Sequence, residues 1–579
     1  MTEAHADPDA TQLGPNQRVS VPIASGLGLQ LVALMLPGIV LIPTIVFRGA
    51  GQPEDVLLWG VFAGVIVCGA ATMLQAIRFG RFGAGYLITT GTSGATMAVS
   101  VAALNAGGPP LLASLVLTMA IVQFAFSTRL ELFRRILTPT VTGTIIMLTP
   151  VTVTPLIFQE LNNVPVGISP VAGPLCALTT LVVVIGIMLK AHGFWRLWSP
   201  IIGVIAGTFV SVIFGLYDFG RIADAAWIGL PTLALPGFDL DFGVAFWGLL
   251  PAFLFISVVC TVQTVSGSIA IQRVTWNESR AVDFRSVQGA VASDSAGNLL
   301  GSVLGSMPVG FRPNGTSMTE ITGVGARSLG LILGASLILL ACIPKVLAIV
   351  LAIPGPVVAT FTTIVMASIF IIGVKIVAQD GVDYRKGAIV GIAFWVGVGF
   401  EYGSIFPEFV AGLTGNVPVN GMLAGGLVAF LATGFIELTK PRRQKLEVAF
   451  DRAALASVRD FVLGFADRYS WDESMVARLD AVSEETLLTL LEERGTTEEE
   501  ESRRLLVGVT NEKERVTLEF IASSGEENVQ DRIAMLADAS TLESTERDLS
   551  LRLLRHLASS VRHQQYFGTD VITVHVDRS

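Results

Sequence analysis

Charge is what this chain has least of. Only 15% of its 579 residues are charged, against 52% hydrophobic, and the mean hydropathy is +0.65. A soluble protein of this length needs far more polar surface, so that class is excluded and a membrane protein is implied. Cysteine is scarce too. Cys68, Cys176, Cys260 and Cys342 lie far apart, each inside an apolar run, which excludes a disulfide framework or metal cluster and leaves them as packing residues. The opening Met1-Thr-Glu-Ala-His-Ala-Asp-Pro-Asp-Ala10 lacks a basic region leading into a short apolar core, so no cleaved signal peptide is expected and the first apolar segment acts as insertion signal. No catalytic set and no cofactor or metal motif is read, and no nucleic-acid partner is expected.

What is present is a long series of apolar runs. Segments long enough to span a bilayer begin near Gly26, Val56, Gly83, Leu111, Arg135, Pro170, Trp198, Val244, Val287, Met307, Leu329, Ile353, Ala388 and Gly421, about fourteen in all. Two of them are broken by Gly, Thr, Ser or Pro: Tyr86-Leu-Ile-Thr-Thr-Gly-Thr-Ser-Gly-Ala95, third in order, and Ser306 to Arg327, tenth. Third and tenth are matching places in two repeats of seven, which predicts an inverted repeat with a binding site at the breaks. Leu137-Thr-Pro139-Thr-Val141 and Ile353-Pro354-Gly-Pro356-Val357 give a weaker echo of the same symmetry.

Basic residues fall on one set of loops: Arg78, Arg81, Arg129, Arg134, Arg135, Lys190, Arg196, Arg273, Arg280, Arg285, Arg385 and Lys386, against Arg48, Arg221 and Lys345 on the other. The positive-inside rule then makes both termini cytoplasmic, in a cytoplasmic (inner or plasma) membrane. Trp59, Trp198, Trp247 and Trp276 lie near span ends, as interfacial anchors do. The expected division is a cytoplasmic tail (1–24), a first transmembrane repeat (25–217), an extracytoplasmic connector (218–243), a second repeat (244–439) and a cytoplasmic α+β domain (440–579). The last begins at the composition shift around Lys440-Pro-Arg-Arg-Gln-Lys445.

Irregular backbone inside a bilayer survives only where protein or a water-filled cavity satisfies its polar groups, and Arg312 lies within such a stretch. The motifs around it resemble the nucleobase:cation symporter-2 family, the uracil, xanthine and urate permeases, over residues 20 to 440. Gly28-Leu-Gln30-Leu-Val-Ala-Leu-Met35 with Val40-Leu-Ile-Pro43 looks like that family's first helix, and Gly85-Tyr-Leu with Gly91-Thr-Ser93 like its third. Ser286-Val-Gln-Gly289, Asp294 and Gly297-Asn298 resemble its ninth, and Ile321-Thr-Gly-Val-Gly-Ala-Arg327 its tenth. The resemblance implies a core domain (spans one to four and eight to eleven) moving elevator-like against a gate domain, a homodimer built through the gate domains, and a possible coupling cation, H+ or Na+. Two short strands would meet at mid-membrane, with half-helix N-termini aimed at the solute.

Two departures change the chemistry. Leu31 replaces a family His, and Gln263, in Val262-Gln263-Thr-Val-Ser266-Gly267, stands where the family has a Glu that grips the nucleobase. Where the family has Pro-Asn or a Gln/Glu-Asn pair, this chain has Pro308-Val309 and then Arg312-Pro313-Asn314. A carboxylate is lost and a guanidinium gained, which suits an anion: a purine monoanion, a carboxylate or an inorganic oxyanion. The substrate-binding set read here is Gln263, Arg312, Ser93, Gly94, Asn314, Gly315, Thr316 and Gln30, with Asp294 and Glu320 as coupling or structural support. Open beside it are an ion pair of Arg312 with Asp294 or Glu320, a helix-to-helix bond for Gln263 or Gln30, and plain close packing for the small residues. The function read is a secondary transporter or uniporter of a nucleobase or similar small anionic solute. The alternatives are an inorganic-anion or carboxylate exchanger or channel, and a non-transporting sensor.

In the tail, Val-Arg-Asp-Phe-Val-Leu-Gly-Phe from Val458 and Ala477 to Leu491 have helical spacing. Strands are expected at Arg504–Val509, Val516–Ala522 and Val571–Val576, a turn at Ser523-Ser-Gly525, and a helix from Arg547 to Arg562. The order resembles the histidine-kinase-like ATPase fold of anti-sigma-factor kinases with its nucleotide chemistry erased. Glu484-Glu485-Thr-Leu-Leu-Thr489 lacks the magnesium-binding Asn, Ser523-Ser-Gly525 lacks the adenine-reading Asp, and Asp548-Leu-Ser-Leu-Arg552 replaces the glycine-rich lid. The acidic run Glu498–Glu501 reads as a solvated loop.

Overall fold

The two broken segments meet each other. In a computed structural model, Thr89–Thr92 (β1) and Val309–Arg312 (β2) form a two-stranded antiparallel sheet in the register Thr89↔Arg312, Thr90↔Phe311, Gly91↔Gly310, Thr92↔Val309. Each strand leads into a helical turn, Gly94–Thr96 after β1 and a nine-residue helix after β2. The structure describes residues 13–130, 138–165, 167–276, 281–378, 381, 383–414, 421–439, 444–451, 453–469, 471–492, 504–511, 515–522, 553–566 and 569–577.

The helices are α1 Val21–Gly49, α2 Glu54–Ala76, α3 Met97–Thr128, α4 Pro139–Leu161, α5 Ala172–Lys190, α6 Phe194–Ile213, α7 Phe219–Asp224, α8 Val244–Thr275 and α9 Phe284–Leu304. After β2 come α10 Asn314–Thr322, α11 Ser328–Ala341, α12 Pro344–Leu351, α13 Gly355–Ala378, α14 Tyr384–Glu401, α15 Pro407–Thr414 and α16 Gly421–Thr439. Among the described residues, eight helices are long and apolar enough to cross a membrane, nine if α11 and α12, bent by 88° at Pro344, count as one broken span. That bend is absent from the sequence reading. Pro344 opens α12, where a missing amide costs nothing. α3 is two helices meeting at Gly108, whose φ of 68° and ψ of −165° need a residue without Cβ, and Pro109 and Pro110 open the second.

Two helix groups pack within this unit. One comprises α1, α2, α3, α8, α10 and α11, and the other α4, α5, α6, α13 and α14. Their seams are glycine: a Cβ on Gly69 of α2 would lie 2.7 Å from the Gly334 carbonyl of α11, and one on Gly143 of α4 2.7 Å from the Gly373 carbonyl of α13. Backbones this close gain dispersion contact without a hydrophobic driving force, which lipid cannot supply. Between the groups, Arg48 at the end of α1 faces Glu160 at the end of α4 at 3.8 Å. Residues 225–243 run without regular structure and are tied to helix ends: Gly229 N donates to Cys342 O (3.2 Å), Lys345 N to Ala226 O (3.2 Å), Asp239 N to Pro110 O (3.3 Å) and Ser114 Oγ to Asp239 O (2.9 Å). Trp59 departs from the anchor role. It is buried, and its indole Nε1 donates to Leu304 O at 2.7 Å, which satisfies a carbonyl at the end of α9.

The second unit consists of Trp276–Gln288 and Ile436–Ser579. Its five-stranded sheet has the order β3-β4-β5-β7-β6, antiparallel throughout: β3 Gln444–Ala449, β4 Arg504–Asn511, β5 Arg515–Ala522, β6 Ser560–Tyr566 and β7 Thr569–Asp577. Helices α17 Ala454–Arg468 and α18 Glu473–Glu492 contribute to the same core. One sheet face supplies Leu505, Val507 and Val509, then Val516, Leu518 and Phe520, then Ile572, Val574 and Val576, the period-two alternation that marks these runs as strands. The helix expected up to Arg562 is corrected: Ser560–Tyr566 is an edge strand. Its two buried residues, His563 and Tyr566, are three apart and so lie on opposite faces, and its one aliphatic on the core, Val561, is only partly buried, so alternation does not show it. The 523–525 turn, the 498–501 run, residues 548–552 and Arg134, Arg135 and Arg280 lie outside the described residues.

Candidate functional site

Arg312 is the last residue of β2, and its side chain folds back across the opposite strand. A Cβ on Gly91 would lie 2.9 Å from Arg312 Cγ and 3.1 Å from Nε, so only glycine leaves this passage open. The guanidinium Nη2 donates to the Thr92 carbonyl, while Thr89 Oγ1 donates to the Arg312 carbonyl at 2.7 Å. Each strand thus bonds the end of the other beyond the sheet ladder. Among the described residues Arg312 has no carboxylate partner, so neither ion pair left open above forms. Asp294 is fully buried and engaged elsewhere: Oδ1 accepts from Gln75 Nε2 at 2.9 Å and Oδ2 from Thr264 Oγ1. Glu320 is exposed on α10.

The remaining residues fall into place one by one. Ser93 is buried, donates its amide to Pro308 O at 2.9 Å, and sets its Oγ 3.8 Å from Cys260 Sγ on α8. Gly94 faces the other helix group, where a Cβ would come 2.8 Å from Met366 Cε. Cys260, Gln263 and Gly267 follow at steps of three and four and share one face of α8. A Cβ on Gly267 would press into the Phe311 ring at 2.3 Å, so this face meets the crossing, and Gln263, half-exposed, sits between its two contacts.

The first turn of a helix leaves its amides without intrahelical acceptors. In α10 that of Gly315 donates to Thr89 Oγ1 at 3.1 Å, and a Cβ there would lie 2.6 Å from Leu87 O, so Gly315 is a close-packing position as well. Asn314, half-buried, opens the helix, and Thr316 carries a buried hydroxyl with no partner. Gln30 has a buried, unpartnered Nε2, but it precedes by eight residues the Gly38 whose carbonyl accepts from Thr92 Oγ1. That is about 12 Å along α1. The crossing therefore gathers Arg312, Ser93, Gly94, Asn314, Gly315, Thr316 and the Gln263 face, with Asp294 behind it beside Thr90 of β1 and Glu320 exposed on α10; Gln30 lies about two turns along α1 from the Thr92 contact.

Residues to which the sequence alone assigned no site role, Asn298 of the ninth-span motif among them, do much of the positioning. Asn298 Oδ1 accepts from Val309 N at 2.7 Å and its Nδ2 donates to Gln123 Oε1 at 2.7 Å, tying β2 to α9 and α3. Ser295 Oγ donates to Ala120 O at 2.8 Å. Their signal was available: Ser293, Asp294, Ser295 and Asn298 crowd one helix, and amides such as Gln75 and Gln123 inside apolar runs mark helix-to-helix bonds.

A family model described as the Permease family matches residues 23–406. Among curated proteins the chain is 25% identical over 428 residues to the nucleobase transporter PlUacP of Paenibacillus larvae (70% of this chain, 92% of that one). It is 22% identical over 433 residues to the uric acid permease PucK of Bacillus subtilis (72% and 96%). It is 25% identical over 434 residues to the xanthine permease XanQ of Escherichia coli (69% and 88%). Among solved structures, the transmembrane domain of the cyanobacterium bicarbonate transporter BicA aligns with TM-score 0.45 at 17% identity, covering 73% of this chain and 100% of that one. A match over residues 23–406 makes the chain a member of this permease family, the nucleobase:cation symporter-2 group whose motifs its broken segments carry, and so a multi-pass membrane transporter rather than an enzyme.

Proposed function

We propose that the chain carries a nucleobase of the xanthine, urate or uracil class, or a similar small anionic solute, across the cytoplasmic membrane. The observation that carries this reading is the Arg312 guanidinium, held at the crossing of two broken segments by a backbone carbonyl and by no carboxylate among the described residues. Its remaining donors are available to an anion. Gln263 supplies neutral hydrogen bonding from the α8 face, Ser93, Gly94, Asn314, Gly315 and Thr316 line the half-helix ends, and Asp294 supports the site from behind. Fourteen spans in a 7+7 inverted repeat, cytoplasmic termini, a homodimer and elevator motion of the α1-containing group against the α4-containing group complete the proposal. A neutral Gln263 removes one proton-coupling group, so coupling to H+ or Na+ would run through Asp294 or Glu320, the two carboxylates read as coupling or structural support. Relatives named for nucleobase, uric acid and xanthine transport support the substrate class.

The test is thermal stability of the purified chain with uracil, xanthine, urate, dicarboxylates, bicarbonate and sulfate. Ligand at about 100 times its Kd stabilises by about 2.7 kcal/mol. A shift with purines or uracil that Gln263→Ala abolishes is the expected result. A shift with simple anions alone, abolished by Arg312→Ala, favours the inorganic-anion reading. The tail acts as a docking or regulatory module. Deleting residues 446–579 is expected to leave solute uptake per folded molecule in place, which would count against an obligatory signalling role for the tail; loss of uptake with folding intact would make the tail a required part of the transporter.

A further inference from the structure

A cavity of about 470 Å³ opens between the two helix groups, lined by Ala98, Val101 and Asn105 of α3, Thr152 of α4, Leu249 of α8 and Glu401 at the end of α14. Its α3 wall begins at Ala98, two residues past the Gly94–Thr96 turn that follows β1, so it adjoins the crossing. Among the described residues Glu401 is the one ionisable residue of the lining. Its carboxylate is held in place: Oε2 accepts from Gly421 N at 2.8 Å, and a Cβ on Gly421 would lie 2.7 Å from Glu401 Cβ. A carboxylate and the amide of Asn105 do not line a space filled by lipid tails, since ionisable groups at membrane depth face water-filled cavities or partners. We propose that this cavity is the aqueous approach to the crossing and that Glu401 makes it unfavourable to permanent anions.

Two opposite charges then lie in series. A solute approaching past Glu401 does so at lower energy when neutral, while the place beside Arg312 favours the anion. The solute that meets both conditions is a weak acid able to carry or release a proton, as a purine dione does, and not a fixed anion such as sulfate. This rests on the transport reading above and narrows its substrate class.

Two readouts on the full-length chain separate the inference from that reading. In a Cys342→Ser background, where the remaining cysteines are buried, an Asn105→Cys reporter is modified by a cationic and by an anionic methanethiosulfonate in detergent. Glu401→Gln is expected to lower the cation-to-anion rate ratio by about threefold or more; an unchanged ratio overturns the proposal whatever the chain transports. In cells, Glu401→Gln is expected to raise sulfate inhibition of xanthine uptake while xanthine uptake itself persists. A changed thiol ratio with unchanged sulfate inhibition overturns the selective role. Absence of uptake of every solute by the wild-type chain defeats the transport reading, and with it the narrowing to weak acids, while the thiol ratio still decides whether Glu401 sets the field in the cavity.

Discussion

Arg312→Ala weakens solute binding by about 10- to 150-fold, the worth of a hydrogen bond to a charged group at about 1.5–3 kcal/mol, while folded yield falls little. The argument is in what Arg312 does without solute. Its side-chain partner among the described residues is the Thr92 carbonyl, and Thr92 stays paired with Val309 through the strand register when the side chain is removed. No buried carboxylate is left without its counterion, because Asp294 draws its hydrogen bonds from Gln75 and Thr264. Arg312→Lys should fall between, since an ammonium keeps the charge and loses the planar fork. Isothermal titration and Tm on the same preparations decide it. Parallel losses of affinity and stability would make Arg312 a structural tie instead.

Asn298→Ala is expected to behave in the opposite way, with stability falling first and activity following in proportion. Asn298 accepts from the buried amide of Val309 and donates to Gln123, so alanine leaves one buried donor and one buried acceptor unpaired. At about 1–3 kcal/mol for each orphaned group, the change removes a large part of the margin that holds β2 against α9. Asn298→Asp keeps an acceptor for Val309 N but presents a second acceptor to Gln123 Oε1, and should be intermediate in Tm. A variant that folds as the wild type does would mean that β2 is held by its pairing with β1 alone.

The crossing itself was legible because it violates the local rule for its surroundings. Gly, Pro, Thr and Ser in apolar runs at Tyr86–Ala95 and Ser306–Arg327 cannot be ordinary spans, and the structure pairs them as β1 and β2. The tail strands β4, β5 and β7 were legible through their alternation. What the chain did not display locally was partnership. Asp294 and Arg312 read as a plausible ion pair from charge alone, and only the packing of α2 and α8 against α9 assigns the carboxylate to Gln75 and Thr264. Trp59 near a span end reads as an interfacial anchor until Leu304 O is brought to its indole. The edge strand β6 is polar because it buries few of its side chains, so nothing in its periodicity separates it from the helix before it.

The peptide joining the two halves of the membrane unit has a consequence for how those halves stay together. Residues 226 and 229 are bonded to Lys345 and Cys342, from the second half of the chain, and residue 239 to Pro110 and Ser114, from the first. A slack leash would hold its ends at an effective concentration set by length. This connection is a splint instead, bonded at intervals to both stretches that it joins, so its ends are fixed by surface contact and not by its length alone.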